Sequence, residues 1–200
     1  MSAPRAVIVS TGVGNTASLI AAFGRAGVEA TLTEDPATVF GAERVVLPGV
    51  GAFGAAMARL RATGMAEAIL ERAAADRPLL GICLGLQLLA RGSAESPGVE
   101  GLGVLDASVV PFAEGLRVPH LGWNRVTPVP EARWVERGTA CFANSYHLDR
   151  VPAGTLGAWS DHGGPFVAAV ERGALLGCQF HPELSGAWGA SLIARWMDQC

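Results

Sequence analysis

The spacing of apolar residues changes character about halfway along the chain. In the first half, short runs of consecutive apolar residues alternate with longer segments whose apolar positions recur every three or four residues. The short runs predict buried strands and the longer segments predict helices. The predicted strands are 6–10, 28–32, 44–47 and 78–82, and the predicted helices are 15–26, 54–75 with a break near Gly64, and 84–91. This alternation predicts a parallel sheet with helices on both faces.

The second half, from about residue 93 to residue 180, is rich in glycine, proline and short β-type runs. It predicts strands at 104–111, 123–127, 140–144, 156–160, 166–170 and 174–180, with a hairpin turn at 171–173, and then a last helix at 186–200. The sequence has no internal repeat and no low-complexity linker. We therefore expect one α/β domain over residues 1–200, with a central, mostly parallel sheet and a smaller antiparallel β region.

Composition narrows the class of protein. Half of the 200 residues are hydrophobic, 16% are charged and the formal net charge is −3, which is typical of a globular chain. The absence of a basic stripe argues against nucleic acid and anionic membranes as partners. The longest apolar run, 79–90, is too short to span a bilayer. Residues 1–5 lead directly into a predicted strand and not into an apolar signal segment, so a cytoplasmic location is the default expectation.

The four cysteines, at positions 83, 141, 178 and 200, form no CxxC pair. This spacing predicts neither a zinc ribbon nor a disulfide scaffold, and we expect free thiols. Most of them are expected to be small buried residues, and the sequence predicts no metal and no cofactor.

The strongest chemical signal surrounds Cys83, where residues 80–87 read LGICLGLQ at a predicted strand-to-helix junction. Glycine is costly inside regular structure, so Gly81 and Gly85 on either side of the cysteine indicate a sharp turn that lifts the sulfur above the sheet. The helix N-terminus favours a thiolate, and the N–H of Leu84 is placed to stabilise an oxyanion. On these residues alone, a nucleophile and a buried structural cysteine are about equally good interpretations.

The candidate base is His181, which follows the predicted strand 174–180. Glu183 lies two residues further, across Pro182, and proline keeps the preceding residue extended. In an extended segment residues i and i+2 point the same way, so Glu183 can orient the imidazole of His181 and stabilise its cation. An isolated H-P-E is more often a surface turn. Together with G-x-C-x-G, however, it is a much more specific sign of a cysteine–histidine–glutamate triad.

With these motifs in view, the chain resembles the class I, triad-type glutamine amidotransferases, which have a flavodoxin-like α/β fold. The matching blocks are 48–51 (PGVG), 81–87 (GICLGLQ) and 179–183 (QFHPE). Within that class it is similar to the glutaminase subunits of imidazole glycerol phosphate synthases of histidine biosynthesis. The finer matches are 14–15, 47–53, 119–124 and 144–146, so the resemblance covers nearly the whole chain.

The resemblance implies hydrolysis of glutamine to glutamate and ammonia through a thioester on Cys83. Ammonia would pass to a (β/α)8-barrel cyclase subunit in a heterodimer. The implied oxyanion hole comprises Leu84 and the loop at Val50 and Gly51. The remaining implied site residues are Gly49, Gln87, Ser145 and Tyr146 for glutamine, and Asn15, Trp123 and Asn124 for the interface and ammonia exit.

Three positions depart from the family pattern. Leu184 stands where a lysine is common after His-Pro-Glu, which puts an interface ion pair in doubt. Asn144 replaces a usual histidine next to the glutamine-holding turn. Leu121 replaces a methionine, a swap that is close in volume.

Three other interpretations remain open at this point. Residues 12–17 (GVGNTA) fit the G-x-G-x-x-A fingerprint, and Glu34 and Asp35 lie about 20 residues further, as a dinucleotide-binding oxidoreductase requires. That interpretation leaves Cys83 and the H-x-E motif unexplained. A non-catalytic module of the same fold is disfavoured by the intact triad. Another class I glutaminase, for example one that serves pyridoxal phosphate synthesis, is the nearest alternative.

Overall fold

The computed structural model describes residues 3–10 and 16–199. Within these residues it contains six α-helices and eleven strands. The helices are α1 (Thr16–Arg25), α2 (Pro36–Gly41), α3 (Phe53–Ala62), α4 (Met65–Ala74), α5 (Leu84–Leu88) and α6 (Gly186–Gln199). The strands are β1 (Arg5–Val9), β2 (Glu29–Thr33), β3 (Val45–Gly49), β4 (Leu79–Cys83), β5 (Val109–Pro111), β6 (His120–Pro128), β7 (Gly138–Asn144), β8 (Tyr146–Leu148), β9 (Leu156–Asp161), β10 (Pro165–Arg172) and β11 (Leu175–Cys178). A single 3₁₀ turn covers Pro182–Leu184.

Nine of these strands form one mixed sheet in the order β2-β1-β3-β4-β11-β10-β9-β6-β7. The pairs from β2 to β11 are parallel, and the pairs from β11 to β7 are antiparallel. A separate two-stranded antiparallel sheet joins β5 to β8. The expected α/β class with a parallel core and an antiparallel region is therefore confirmed, and the antiparallel strands extend the same sheet.

Helices cover both faces of the sheet, and each face has its own apolar core. One core packs the apolar faces of α1 and α6 against the sheet, with Phe23, Trp196 and Ile193 fully buried. The other packs α3, α4 and α5 against the opposite face, with Phe53 and Ile69 fully buried. Alternate residues of a strand point to opposite faces, so β1 contributes to both cores.

The structure differs from the predicted elements in several places: strand β8 was not predicted, and the predicted helix 84–91 ends at Leu88. Helix α2 was not predicted. Asp35 begins it as an N-cap whose carboxylate accepts the N–H groups of Ala37 and Thr38, and Pro36 occupies the first turn. The predicted strand 104–111 is a strand only at Val109–Pro111. Within the rest of that range, Leu105 donates its N–H to the Leu89 carbonyl, and Leu102, just before the range, donates to the Leu88 carbonyl. These two bonds satisfy carbonyl groups that the end of α5 leaves unpaired.

The longest helix in the described part of the chain, α6, has 14 residues. No described helix is long and apolar enough to cross a membrane.

Candidate active site

Cys83 ends β4 and forms the N-cap of α5, in a sharp turn between the two elements. Its backbone has φ 53° and ψ −111°, a conformation that costs a residue with a side chain free energy on the order of 1–3 kcal/mol. The side chain makes no capping hydrogen bond. Strained backbone of this kind is characteristic of functional sites, where the surrounding structure enforces it. The sharp turn that the sequence predicts at Cys83 is therefore present.

The glycines around Cys83 are required by close backbone contacts. A Cβ at Gly85 would lie 1.8 Å from the carbonyl oxygen of Leu47 on β3. A Cβ at Gly81 would lie 3.1 Å from the backbone of Leu86. Gly49, which pairs with Cys83 across the parallel strands, leaves room for the Leu84 side chain, to which a Cβ would come within 2.9 Å. The turn can pack against β3 only because these positions lack side chains.

His181 is brought to Cys83 by the neighbouring strand. β11 runs parallel to β4 with Cys178 opposite Ile82, so the segment that leaves β11 emerges beside the cysteine turn. The N–H of His181 donates to the Cys141 carbonyl at 2.8 Å. The hydroxyl of Ser185 donates to the His181 carbonyl at 2.6 Å and accepts the N–H of Cys141 at 3.0 Å. These bonds fix the backbone from which the imidazole projects.

Glu183 holds one nitrogen of the imidazole. His181 Nδ1 lies 2.8 Å from Glu183 Oε1, and both side chains are 9% exposed. Because a carboxylate can only accept, Nδ1 carries the hydrogen and Nε2 is left for the cysteine side. The i, i+2 relation expected from the H-P-E motif is thus found, although Glu183 lies in a 3₁₀ turn and not in an extended segment.

The charges of the triad favour a protonated imidazole. Burial of the ring opposes the cation, but hydrogen bonds and charge interactions with Cys83 and Glu183 outweigh it and raise the pKa of His181 to about 10. An imidazolium at neutral pH is the natural partner of a cysteine thiolate. By contrast, burial raises the pKa of the Cys178 thiol well above its usual value, and that cysteine is a structural residue in the core.

A cavity of about 350 Å³ opens over Cys83. Its walls come from the cysteine turn, the loop after β3, the residue stretch after α5, and the β7–β8 turn. The lining residues are Val50, Gly51, Cys83, Leu84, Gln87, Glu95, Ala143, Asn144, Ser145, Tyr146 and His181. The structure thus brings the predicted nucleophile, base, oxyanion residues and most of the predicted glutamine-binding residues to one cavity.

The predicted glutamine-binding residues differ in whether they line the cavity and in which hydrogen-bonding groups they have free for a ligand. Gly49 is not in the cavity wall, since it packs behind the cysteine turn. The Tyr146 carbonyl accepts the side-chain amides of Gln87 and Asn144, each at 3.0 Å, and the Ser145 carbonyl accepts the N–H of Phe112. These carbonyls are engaged within the protein, so the turn is best suited to offer N–H groups to a ligand.

Two functional candidates were missed by sequence reasoning. Glu95 lines the cavity and is the only acidic residue among the described residues of its wall. One of its oxygens accepts the N–H of Phe53 at 2.7 Å, at the start of α3. Gln179 is fully buried, and its Nε2 lies 3.6 Å from Cys83 Sγ. Glu95 carried no motif, whereas Gln179 stood inside the recognised QFHPE block.

The predicted interface residues fall into three cases. Trp123 is 60% exposed on β6, and its ring lies beside Gly186, just after the turn that holds Glu183. Asn124 is bonded internally, donating to the Asp161 carbonyl at 2.5 Å and accepting the Arg125 N–H at 2.7 Å. Asn15 lies outside the described residues.

Glu34 and Asp35, the acidic residues that a dinucleotide-binding site would use, have partners within the protein. The Asp35 carboxylate caps α2, and its hydrogen bonds to the Thr38 hydroxyl and to the Ala37 N–H lower its pKa. Glu34 Oε1 accepts from Ser10 and pairs with Arg59. The glycines of that fingerprint, Gly12 and Gly14, lie outside the described residues. The described residues contain no cluster of His, Cys, Asp and Glu that could hold a metal ion.

The family model "glutamine amidotransferase class-I" matches residues 7–200, and the chain belongs to this family. Among its relatives, the imidazole glycerol phosphate synthase subunit HisH of Symbiobacterium thermophilum is 42% identical over 201 residues, covering 96% of this chain and 92% of that one. The subunit of the same name from Xanthomonas axonopodis pv. citri is 42% identical over 197 residues, with 96% of each chain covered. A solved glutamine amidotransferase structure aligns with a TM-score of 0.78 at 23% identity, over 96% of this chain and 97% of that chain, and shares the fold.

Proposed function

We propose that this chain is the glutaminase subunit of imidazole glycerol phosphate synthase and acts as one amidotransferase domain over residues 1–200. It hydrolyses glutamine to glutamate and ammonia, and it delivers the ammonia to a (β/α)8-barrel cyclase partner in histidine biosynthesis, in the cytoplasm. The observation that carries the proposal is that His181 hydrogen-bonds both Cys83 and Glu183, and that Cys83 and His181 line one cavity. The likeness of the whole chain to HisH subunits supports the choice of pathway.

The cavity suits glutamine in charge as well as in size. Glutamine carries an α-ammonium group, and Glu95 supplies a carboxylate in the cavity wall. Both amide hydrogens of Gln87 are donated within the protein, which leaves its Oε1 as an acceptor. The α-carboxylate needs donors, and the N–H groups of Ser145 and Tyr146 supply them. The side-chain amide of glutamine would then reach Cys83.

The first half of the reaction forms a thioester. The Cys83 thiolate attacks the side-chain amide carbon of glutamine, and the N–H groups of Leu84 and Gly51 hold the resulting oxyanion. His181 already carries a proton, because its pKa is raised to about 10, and donates it to the leaving nitrogen. Ammonia departs, and a glutamyl thioester on Cys83 and a neutral imidazole remain.

The second half releases glutamate. Neutral His181 takes a proton from water, and the resulting hydroxide attacks the thioester carbon. When the second oxyanion collapses, the thiolate of Cys83 leaves and the imidazolium is already in place for the next cycle. Throughout, Glu183 holds Nδ1 and so keeps Nε2 directed at the reacting atoms.

An exposed apolar surface next to the cavity fits a partner subunit. Leu121 and Trp123 share one face of β6 and are 75% and 60% exposed. Ala143, which pairs with Leu121 and points to the same face, lines the cavity. Leu184, 44% exposed beside Glu183, adds apolar surface at the position where the family resemblance implies a lysine. Contiguous exposed apolar residues at a site mouth indicate a docking surface, and a docked partner would keep ammonia away from water.

The glycine loop after β3 offers a way to couple the partner to catalysis. Gly51 has φ 94°, and a Cβ there would meet nothing within 4 Å. Because glycine adopts positive and negative φ about equally readily, the chain at Gly51 can take more than one backbone conformation, which would turn its N–H towards or away from the oxyanion. The docked partner is proposed to select the orientation that stabilises the oxyanion.

The test is glutamate release from glutamine, measured for this chain alone and with a barrel-type cyclase subunit and its nucleotide ligand. The proposal expects slow release alone and much faster release in the complex. Equal rates would reject the coupling, and absence of glutamate in both mixtures would reject the glutaminase function.

A further inference from the structure

Two buried glutamine side chains connect the cavity wall to the sulfur of Cys83. Gln87 Nε2 on α5 lies 3.0 Å from the Tyr146 carbonyl oxygen and 3.0 Å from Gln179 Oε1. Gln179 follows β11, is fully buried, and places its Nε2 3.6 Å from Cys83 Sγ. The four groups therefore form a continuous hydrogen-bonded series that ends on the nucleophile.

The Tyr146 carbonyl fixes which group of each glutamine side chain donates and which accepts. The Tyr146 carbonyl can only accept, so Gln87 must turn its NH₂ group towards it. That NH₂ group also faces Gln179, which must therefore present its oxygen to Gln87. The NH₂ group of Gln179 is consequently left facing Cys83 Sγ. Reversing either amide would set donor against donor or acceptor against acceptor in a buried place, which is unfavourable.

We propose that Gln179 is a positioning residue for Cys83, whose side-chain N–H donates to Sγ and favours the thiolate over the thiol. A donor hydrogen bond stabilises an anionic sulfur more than a neutral one. It also limits the rotation of the Cys83 side chain, which makes no capping bond of its own. Gln87 contributes by holding the amide of Gln179 in the donating orientation.

The role of Gln179 belongs to the proposed glutaminase reaction, but the hydrogen bond can be tested without substrate. Gln179 is not in the cavity wall, so its loss should change catalysis more than binding. Its effect on the sulfur should appear in the reaction of Cys83 with a small alkylating agent, because only the thiolate reacts.

The experiment compares wild type with Gln179→Met, which keeps the length but not the donor, and with Gln179→Glu, which keeps an acceptor for Gln87. The rate of alkylation of Cys83 by iodoacetamide is followed from about pH 5 to about pH 10, with the modified peptide identified by mass spectrometry. We expect the profile of Gln179→Met to move to higher pH, with alkylation about tenfold slower on its acidic side. Gln179→Glu should move it further, because its carboxylate repels the thiolate.

Catalysis provides the second measurement. In the complex with the cyclase partner, Gln179→Met should lower kcat for glutamate release about tenfold and leave KM within about twofold of wild type. Cys178→Ala removes a buried thiol of the neighbouring strand β11 and leaves the Gln179 amide in place. It serves as the matched control and should leave the alkylation profile unchanged.

A purely structural role predicts different results. If Gln179→Met lowers only the unfolding temperature and keeps the wild-type alkylation profile, the proposal is wrong. If the variants do not fold, the side-chain amide resonance of Gln179 in wild type decides. It should titrate together with the alkylation of Cys83, and an amide signal that is insensitive to pH and to alkylation overturns the proposal. Failure of wild type to release glutamate would reject the proposed function without deciding the Gln179 hydrogen bond.

Discussion

Gly85 faces the Leu47 carbonyl so closely that a Cβ at Gly85 would lie 1.8 Å from that oxygen. This contact joins α5 to β3 and sets the angle at which Cys83 leaves the sheet. The glycines were recognised from the sequence as marks of a turn, and the structure adds which atoms exclude a side chain.

We therefore expect Gly85→Ala to be strongly destabilising and nearly inactive. Backbone atoms cannot move aside as a side chain can, so the free energy of unfolding should fall by about 3 kcal/mol or more. Urea unfolding and glutamate release measure the two effects. Gly24→Ala in α1 is the matched control, since a Cβ there meets nothing within 4 Å. It should stabilise the chain by up to about 1 kcal/mol.

The raised pKa of His181 predicts how the stability of the folded chain depends on pH. Burial opposes its cation, yet interactions with Cys83 and Glu183 raise its pKa from the ordinary 6.5 to about 10. Protonation of His181 thus stabilises the folded chain fully below pH 6.5, and this contribution is lost as the pH rises towards 10. An NMR titration of the ring should show a midpoint well above 6.5 in wild type.

Substitutions of Cys83 and of Glu183 separate the contributions of these two residues to the pKa of His181. Cys83→Ala should lower the midpoint of the His181 titration more than Glu183→Gln, because the hydrogen bond to Cys83 is the larger of the causes that raise it. A wild-type midpoint near 6.5, or a midpoint unaffected by Cys83→Ala, would show that the imidazolium is not paired with the cysteine.

Glu95 is expected to bind the ammonium group of glutamine. Glu95→Gln keeps an acceptor for the Phe53 N–H but removes the charge, so KM for glutamine should rise about tenfold or more while kcat changes less. The matched control is Ser96→Ala, which removes the other contact at the start of α3, from the Gly54 N–H. It should lower stability and leave KM unchanged. A KM that does not respond to Glu95→Gln contradicts the assignment.

Trp123 is expected to serve the partner and not the chemistry. Trp123→Ala should leave glutamate release by the isolated chain unchanged and weaken binding of the cyclase subunit about tenfold or more. Trp159→Ala is the control, since Trp159 is also exposed but lies opposite Thr127, further along β6 from the cavity. Calorimetric titration with the partner measures both variants. Equal losses of affinity in the two would exclude a docking surface centred on Trp123.

The sequence allowed the parallel core and the proximity of Cys83, His181 and Glu183 to be predicted because both depend on local patterns. Buried parallel strands are short apolar runs, and the cysteine and histidine motifs each lie at the end of one such strand, where the fold brings them together. Helix α2 was missed because its signal is short and because Asp35, its N-cap, was considered only as part of the acidic pair of the dinucleotide fingerprint. The pattern of one acidic residue fits several roles, and only its hydrogen-bond partners distinguish them.

Residues whose roles depend on contacts between distant segments could not be predicted in this way. Glu95 reaches the cavity from the segment after α5, and its bond to Phe53 joins residues 42 positions apart. Gln87 and Gln179 meet across 92 positions. Residues 104–108 were predicted as strand, but Leu105 donates its N–H to the Leu89 carbonyl at the end of α5, and Ser108 donates its N–H to the Asp149 carboxylate. Such contacts follow from the tertiary arrangement, which neither periodicity nor motif spacing encodes.

The central claim, that glutamine is hydrolysed through Cys83, is tested most directly by glutamate release from glutamine by the complex with the cyclase subunit, using Cys83→Ala and Cys178→Ala. Both substitutions remove one thiol, but only Cys83 is in the cavity. The account predicts that Cys83→Ala loses at least about a thousandfold in rate while Cys178→Ala stays near wild type. Glutamate release by Cys83→Ala at a rate close to wild type would contradict it.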